Sequence, residues 1–274
     1  MIVVQLSDTH FGTEKPDVVE ALVAWMQAHR PDLVIFSGDI TQRARRAQFQ
    51  AARTFIDRIP KHDLLTVPGN HDLPVFDLMR RWLSPYGYYR QYFGEDLEPS
   101  FENERVLILC LNSTRPGRRK DGEISPEQRD RVEQRLRATP EHKLKILVAH
   151  HPFDVILTSD KENLIHNGAD AIQHWARAGL DLVLGGHIHF PFTASLRGRY
   201  PDLARDVWCV QAGTTTSRRV RHSKPNSFNR LEIGPDQDSV TVERWDYDEE
   251  DREFQRVACF KPWGTSEKDG GKNG

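Results

Sequence analysis

The chain has 274 residues, with 38 Lys+Arg against 40 Asp+Glu and a formal net charge of -2. That length favours one large α/β domain over a minimal domain or two full ones. The balanced charge gives no global reason to expect a nucleic-acid or membrane-surface binder, so any affinity for an anion must be local.

In chain order, the opening MIVVQLSD enters an apolar run at once and lacks the basic segment and cleavage site of a signal peptide. No later run approaches the ~18 apolar residues of a membrane span. Cys110, Cys209 and Cys259 are scattered without a C-x-x-C pair, which argues against a disulfide framework. The expectation is a soluble, cytoplasmic protein.

Ile2–Leu6, Leu33–Phe36, Leu64–Val67, Val106–Leu111, Leu144–Val148 and Leu180–Leu184 have strand length and β-branched content and read as buried strands. Between the first two, Asp17–His29 places Val18, Val19, Leu22, Val23 and Met26 on one helical face, with Asp17 as the expected cap and Glu20 three residues on. A second helix is expected over about 45–58. Ser125-Pro126-Glu127-Gln128 announces a third, with Ser125 as cap, Pro126 at the first helical position and Gln128 completing a capping box. A fourth is expected over 169–178.

The alternation of strand and helix gives an α/β class. Val207–Ala212, Phe228–Ile233 and Ser239–Trp245 have little helix between them, and a hairpin-like turn is expected at Gly234-Pro235-Asp236. The sheet is therefore expected to end in antiparallel strands. One domain over 1–263 and a polar, glycine-rich, disordered tail over 264–274 complete the outline.

The chemistry-bearing residues recur at strand ends. Asp8 and His10 follow the first strand, Asp39 the second, Asn70 and His71 the third, and His150, then His187 and His189, follow the apolar runs before them. In open α/β sheets the carboxyl edge is where loops converge on a ligand. Gly38, Gly69 and Gly185-Gly186 precede several of these positions and allow sharp turns. Each fragment alone also reads as a turn or a helix cap; the whole set in order reads as a metal site.

Imidazole, carboxylate and amide oxygen without thiolate suit Mn, Fe, Co, Ni or Zn. The seven candidate ligands, Asp8, His10, Asp39, Asn70, His150, His187 and His189, exceed what one tetrahedral ion needs, so two ions are expected. Asp39, midway in the order, is the expected bridge.

The series Asp8-x-His10, Gly38-Asp39, Gly69-Asn70-His71-Asp72, His150 and Gly186-His187-x-His189 resembles the calcineurin-like metallophosphoesterase family, complete in order and residue type. The resemblance covers Ile2 to His189 directly. It implies two mixed β-sheets packed as a sandwich and flanked by helices. It also implies that Asp8, His10, Asp39 and His189 hold one divalent ion and Asp39, Asn70, His150 and His187 the other. His71 would be catalytic, with Asp72 orienting its imidazole. His150 is preferred to His151 because the family's ligand stands two residues before the proline, here Pro152; whether His151 faces substrate or packs stays open.

Paired ions roughly 3.5–4 Å apart make hydroxide available for in-line attack on phosphorus, so a phosphoester hydrolase is expected. Asp72 in place of Glu, and Asp39-Ile40-Thr41 without the protein phosphatases' Asp-x-x-x-Arg-Gly, point away from phosphoprotein substrates. His71 stands where the lipid A precursor hydrolases carry arginine. The pattern is most similar to the bacterial cyclic-nucleotide phosphodiesterase-like branch, which implies a small phosphodiester substrate, a cyclic nucleotide among the candidates.

The alternatives are a DNA exonuclease of the same family and a non-catalytic metal-binding scaffold. No long basic or aromatic-interleaved stretch supports the first, and the complete ligand set opposes the second. Three basic clusters, around Arg45, Arg118 and Arg219, also follow strand ends and could rim the crevice or simply be solvated.

Overall fold

A computed structural model describes residues 1–60, 62–235 and 239–263. From the N-terminus these form β1 (Ile2–Leu6), α1 (Pro16–His29), β2 (Leu33–Ser37), α2 (Arg46–Ile56), β3 (Asp63–Val67), α3 (Leu78–Leu83), α4 (Gly87–Phe93) and β4 (Ser100–Glu102). Next come β5 (Val106–Leu111), α5 (Pro126–Ala138), β6 (Leu144–Ala149), α6 (Gly168–Arg177), β7 (Leu182–Gly185) and β8 (Phe192–Ser195). The last strands are β9 (Trp208–Gln211), β10 (Ser227–Ile233), β11 (Val240–Asp248) and β12 (Glu253–Phe260). The expected tail, and Asp236 of the expected turn, lie outside the described residues.

There are two mixed six-stranded sheets, ordered β12-β11-β10-β1-β2-β3 and β4-β5-β6-β7-β9-β8. In the first, β1, β2 and β3 are parallel and β10 to β12 antiparallel. In the second, β5, β6, β7 and β9 are parallel, with β4 and β8 antiparallel at the edges. The two-residue period of a strand splits each run between two cores. Val3, Ile35, Ile108, Ile146 and Leu184 meet between the sheets. Val4, Leu6, Val34 and Phe36 turn outward onto α1 and α2, while Leu107, Leu147 and Val183 turn onto α5 and α6. Strands buried on both faces carry no polar alternation, which is why they were conspicuous in the sequence.

The capping box at Ser125 forms as expected: the Gln128 amide donates to Ser125 Oγ at 3.2 Å, and the Ser125 amide donates to Gln128 Oε1 at 2.9 Å. Two expectations are corrected. Asp17 does not cap α1; Pro16 takes the first helical position and Lys15, held extended as residues before proline are, stands at the cap. And β9 runs parallel to β7, because β8 and the turn over Leu196–Gly198 carry the chain back to the starting edge of the sheet; only β10 to β12 close the fold antiparallel. The elements α3, α4, β4, β8 and β12 had no counterpart in the sequence reading.

Candidate metal centre

The carboxyl ends of β1, β2 and β3 in one sheet face those of β6 and β7 in the other, so the crevice lies across two sheets. Backbone hydrogen bonds draw the loops together: the Asp8 amide donates to the Gly38 carbonyl at 3.0 Å, and the Gly186 amide to the His150 carbonyl at 2.9 Å. Asp8, His10, Asp39, His187 and His189 all have positive φ, between 44° and 73°, a region unusual for side-chain-bearing residues. Gly38, at φ 93°, is required there: a Cβ would lie 2.4 Å from His150 Nδ1. At Gly69 a Cβ would lie 2.2 Å from the Asp39 amide nitrogen.

All seven expected ligands come together, in two groups. In the first, Asp8 Oδ1 is 3.1 Å from His189 Nε2 and 3.7 Å from His10 Nε2, the two imidazole nitrogens are 3.1 Å apart, and Asp39 Oδ2 is 3.7 Å from His10 Nε2. Donor separations of about 3.3–3.6 Å are what an ion with bonds near 2.0–2.2 Å requires. In the second, Asn70 Oδ1 lies 3.0 Å from His187 Nδ1 and 3.3 Å from His150 Nε2, and Asp39 Oδ1 lies 3.4 Å from His150 Nε2. Asp39 thus turns one carboxylate oxygen to each group.

The surrounding contacts fit a cation. Ser7 Oγ and the His187 amide both donate to Asp8 Oδ2, at 2.7 and 3.0 Å, while the buried Asp8 Oδ1 has no hydrogen-bond partner. His150 donates from Nδ1 to the Ser37 carbonyl at 2.9 Å, and His189 from Nδ1 to the Arg219 carbonyl. Each thereby fixes its ring with Nε2 toward the cluster, as outer hydrogen bonds do for metal-binding histidines.

Burial raises the pKa of Asp8 and Asp39, but the imidazoles of His189 and His150 outweigh it and hold both carboxyls well below the usual range. Burial pushes His10 down to about 3 and His187 well below its ordinary value. Burial also opposes charge on His150 and His189, yet Asp39 lifts His150 to about 9 and Asp8 raises His189.

His151 lies close enough to group with His150 and His187, but both its ring nitrogens are occupied. Nδ1 meets Ser113 Oγ at 2.7 Å and Nε2 donates to the Lys120 carbonyl at 2.8 Å. It ties the loop after β5 to the end of β6. His71 stands beside the cluster, its ring centroid 4.9 Å from that of His10. Its Nδ1 donates to the Gln42 carbonyl at 2.8 Å, and its Nε2 accepts from Arg219 at 3.0 Å.

The expectation that Asp72 orients this imidazole is corrected. Its carboxylate accepts from the amides of Ile40, Thr41 and Gly69 and from Thr41 Oγ1, at 2.8–3.1 Å. Asp72 clamps the loop after β2 to the loop after β3, and Gln42 orients the ring.

A cleft of about 600 Å³ opens onto Asp39, Asn70, His71, His187 and His189. Arg119, Lys120, Arg219 and Arg221 line it, so two of the three basic clusters reach it. Arg45 instead stands at the cap of α2, and Arg118 pairs with Glu123 at 2.6 Å. Lys120 is paired with Glu162 and Arg221 with Asp160. Arg219 gives its carbonyl to His189 and its guanidinium to His71, a double role the sequence did not single out from its arginine-rich neighbours. Gln42 was missed altogether, because a backbone carbonyl leaves no sequence signal.

Residues 1–191 match the family model described as calcineurin-like phosphoesterase. The chain belongs to this family. The phosphoesterase is 27% identical over 249 residues to the 3',5'-cyclic adenosine monophosphate phosphodiesterase CpdA of Escherichia coli K12, covering 85% of this chain and 86% of that protein. It is 28% identical over 176 residues to a probable glycerophosphodiester phosphodiesterase GpdQ of Arcobacter nitrofigilis, covering 60% of this chain but 62% of that relative's length.

Solved structures share the fold. A purple acid phosphatase from yellow lupin superposes with TM-score 0.70 at 13% identity, covering 95% of this chain and 53% of that one. A dimetal phosphatase from Danio rerio superposes with TM-score 0.62 at 13% identity, covering 89% and 95%. Among the described residues of the phosphoesterase, no helix is long and apolar enough to cross a membrane.

Proposed function

We propose that this protein is a dinuclear phosphodiesterase acting on small diesters, with cyclic nucleotides and glycerophosphodiesters as the first candidates. The observation that carries the reading is Asp39, whose two oxygens face two separate ligand groups. In this reading Asp8, His10, Asp39 and His189 hold one divalent ion, and Asp39, Asn70, His150 and His187 hold the other. Bound there, the ions supply Lewis acidity toward the phosphoryl oxygens and an activated water for in-line attack.

The chain's own residues do the rest. Arg219 and Arg119 take the phosphoryl oxygens; Arg119 carries no ion pair among the described residues. Once Arg219 turns from His71 to the phosphoryl group, His71 Nε2 takes up a proton from solvent and passes it to the leaving oxygen as the ester bond breaks, while Gln42 holds the Nδ1 proton. The cleft lining includes no Phe, Tyr or Trp among the described residues, so recognition rests on phosphate rather than on base stacking, which weighs against an extended single strand.

The family model ends at residue 191, but β8 to β12 complete both sheets, so one domain over 1–263 is the proposed unit. The cysteines are unpaired, and Cys110 and Cys209 are buried, which fits a reducing cytoplasm. The test is a panel of cyclic nucleotides, glycerophosphodiesters, aryl monoesters and single-stranded DNA, run with Mn, Fe, Co, Ni and Zn. Preferred turnover of a small diester supports the reading. A metal-loaded protein inert toward all of them would make it a scaffold, and preference for DNA would make it an exonuclease.

A further inference from the structure

Helix α3 is inverted. Its buried residue is Arg81, 3% exposed, whose guanidinium donates to the carbonyls of Pro74, Pro116 and Arg118 at 2.7–2.8 Å. Its apolar residues, and Phe76 two positions before it, face outward: Phe76 is 74% exposed, Leu78 55%, Met79 72%, Trp82 66% and Leu83 79%. Side chains in a flat patch shield one another, so five large apolar groups at this exposure form a protruding knob. The three carbonyl bonds of Arg81 fix the helix in this orientation. Contiguous apolar exposure of this kind marks an interaction surface.

The knob stands at the mouth of the cleft. Val75, next to Phe76, lines the cleft, and the Trp82 ring lies beside Gly117 in the loop that brings Arg119 and Lys120 to the cleft wall. Its surroundings are cationic: Arg43 lies over the Phe76 ring at 4.9 Å, and Arg119 lines the cleft wall together with Val75. A second copy docking knob to knob would press two convex surfaces together and bring Arg43 and Arg119 against their own equivalents. A lipid surface meets both features, since the acyl boundary yields to a convex apolar element while anionic headgroups attract the basic residues around it.

We propose that Phe76 and α3 form a docking element that seats the enzyme, cleft mouth toward the bilayer, on an anionic membrane surface. The attraction is local, in a chain whose net charge is nearly balanced. It does not depend on which diester is cut.

The test is sedimentation of the full chain with vesicles of phosphatidylcholine alone and of phosphatidylcholine mixed equally with phosphatidylglycerol. Wild type is expected to sediment with the mixed vesicles and to release as salt is raised. The double variant Met79→Ser/Leu83→Ser is expected to partition about tenfold less or lower, with hydrolysis of a soluble aryl phosphodiester unchanged in the absence of vesicles. The proposal is overturned if wild type stays in the supernatant with mixed vesicles, or if the double variant sediments equally. It is also overturned if sedimentation velocity shows a wild-type dimer that the double variant dissolves while neither protein binds vesicles, which would assign the knob to a second copy.

Discussion

Asp39 presents one oxygen to each ligand group, so losing it should disturb both. Asp39→Ala is expected to hold at most one ion by elemental analysis and to lose at least about a hundredfold in kcat/KM. His71 touches the cluster without joining it, and His71→Ala should keep its metal content while kcat falls by about 10²–10⁴; equal loss of metal would make His71 a ligand. Protonation offers a third measurement. In the metal-free protein His150 titrates at about 9 and His189 is raised by Asp8. His150 is therefore largely charged at neutral pH and must give up a proton to bind a cation. Metal added to the metal-free protein near neutrality should release protons, read from the dependence of calorimetric heat on buffer ionisation, and the release should fade as pH rises past about 9. No release at neutral pH would place the metal elsewhere.

The strand-end loops are held as a unit by Asp72. Asp72→Ala would strand the amides of Ile40, Thr41 and Gly69, at a cost of about 1–3 kcal/mol for each buried donor left unmet. The melting temperature and the metal content should drop together; a slowed but fully stable, metal-replete variant would restore a direct catalytic role. This is also where the limits of the sequence lie. Strands buried on both faces announce themselves by unbroken apolar runs, and the ligands at their ends follow from that outline. Helix α3 stayed hidden because its apolar residues face solvent and its charge faces in, the reverse of the pattern that betrays a helix. β12, an edge strand with mixed exposure, carries no clear alternation. The difference between His150 and His151 was legible only through the proline that follows; what settles the packing role of His151 is Ser113 and the Lys120 carbonyl, remote in sequence and invisible to spacing.

At the scale of the whole molecule, a centre drawn from both sheets should couple metal binding to folding. Chelation is expected to lower the melting temperature by about 5–15 °C, reversed by adding Mn, if the ions are normally present at about a hundred to a thousand times their dissociation constants. A melting curve indifferent to chelator would show that the two sheets hold together without the ions. The left-handed backbone at Asp8, His10, Asp39, His187 and His189 bears on the history of such a fold. Each such residue costs about 1–2 kcal/mol against an ordinary conformation, and five together approach the stability of a typical domain, about 5–15 kcal/mol. A lineage freed from catalysis could recover that energy by exchanging these residues for glycine, one at a time. Decay of the activity would then run downhill, and retired relatives should be recognisable by glycines where their working ancestors kept ligands.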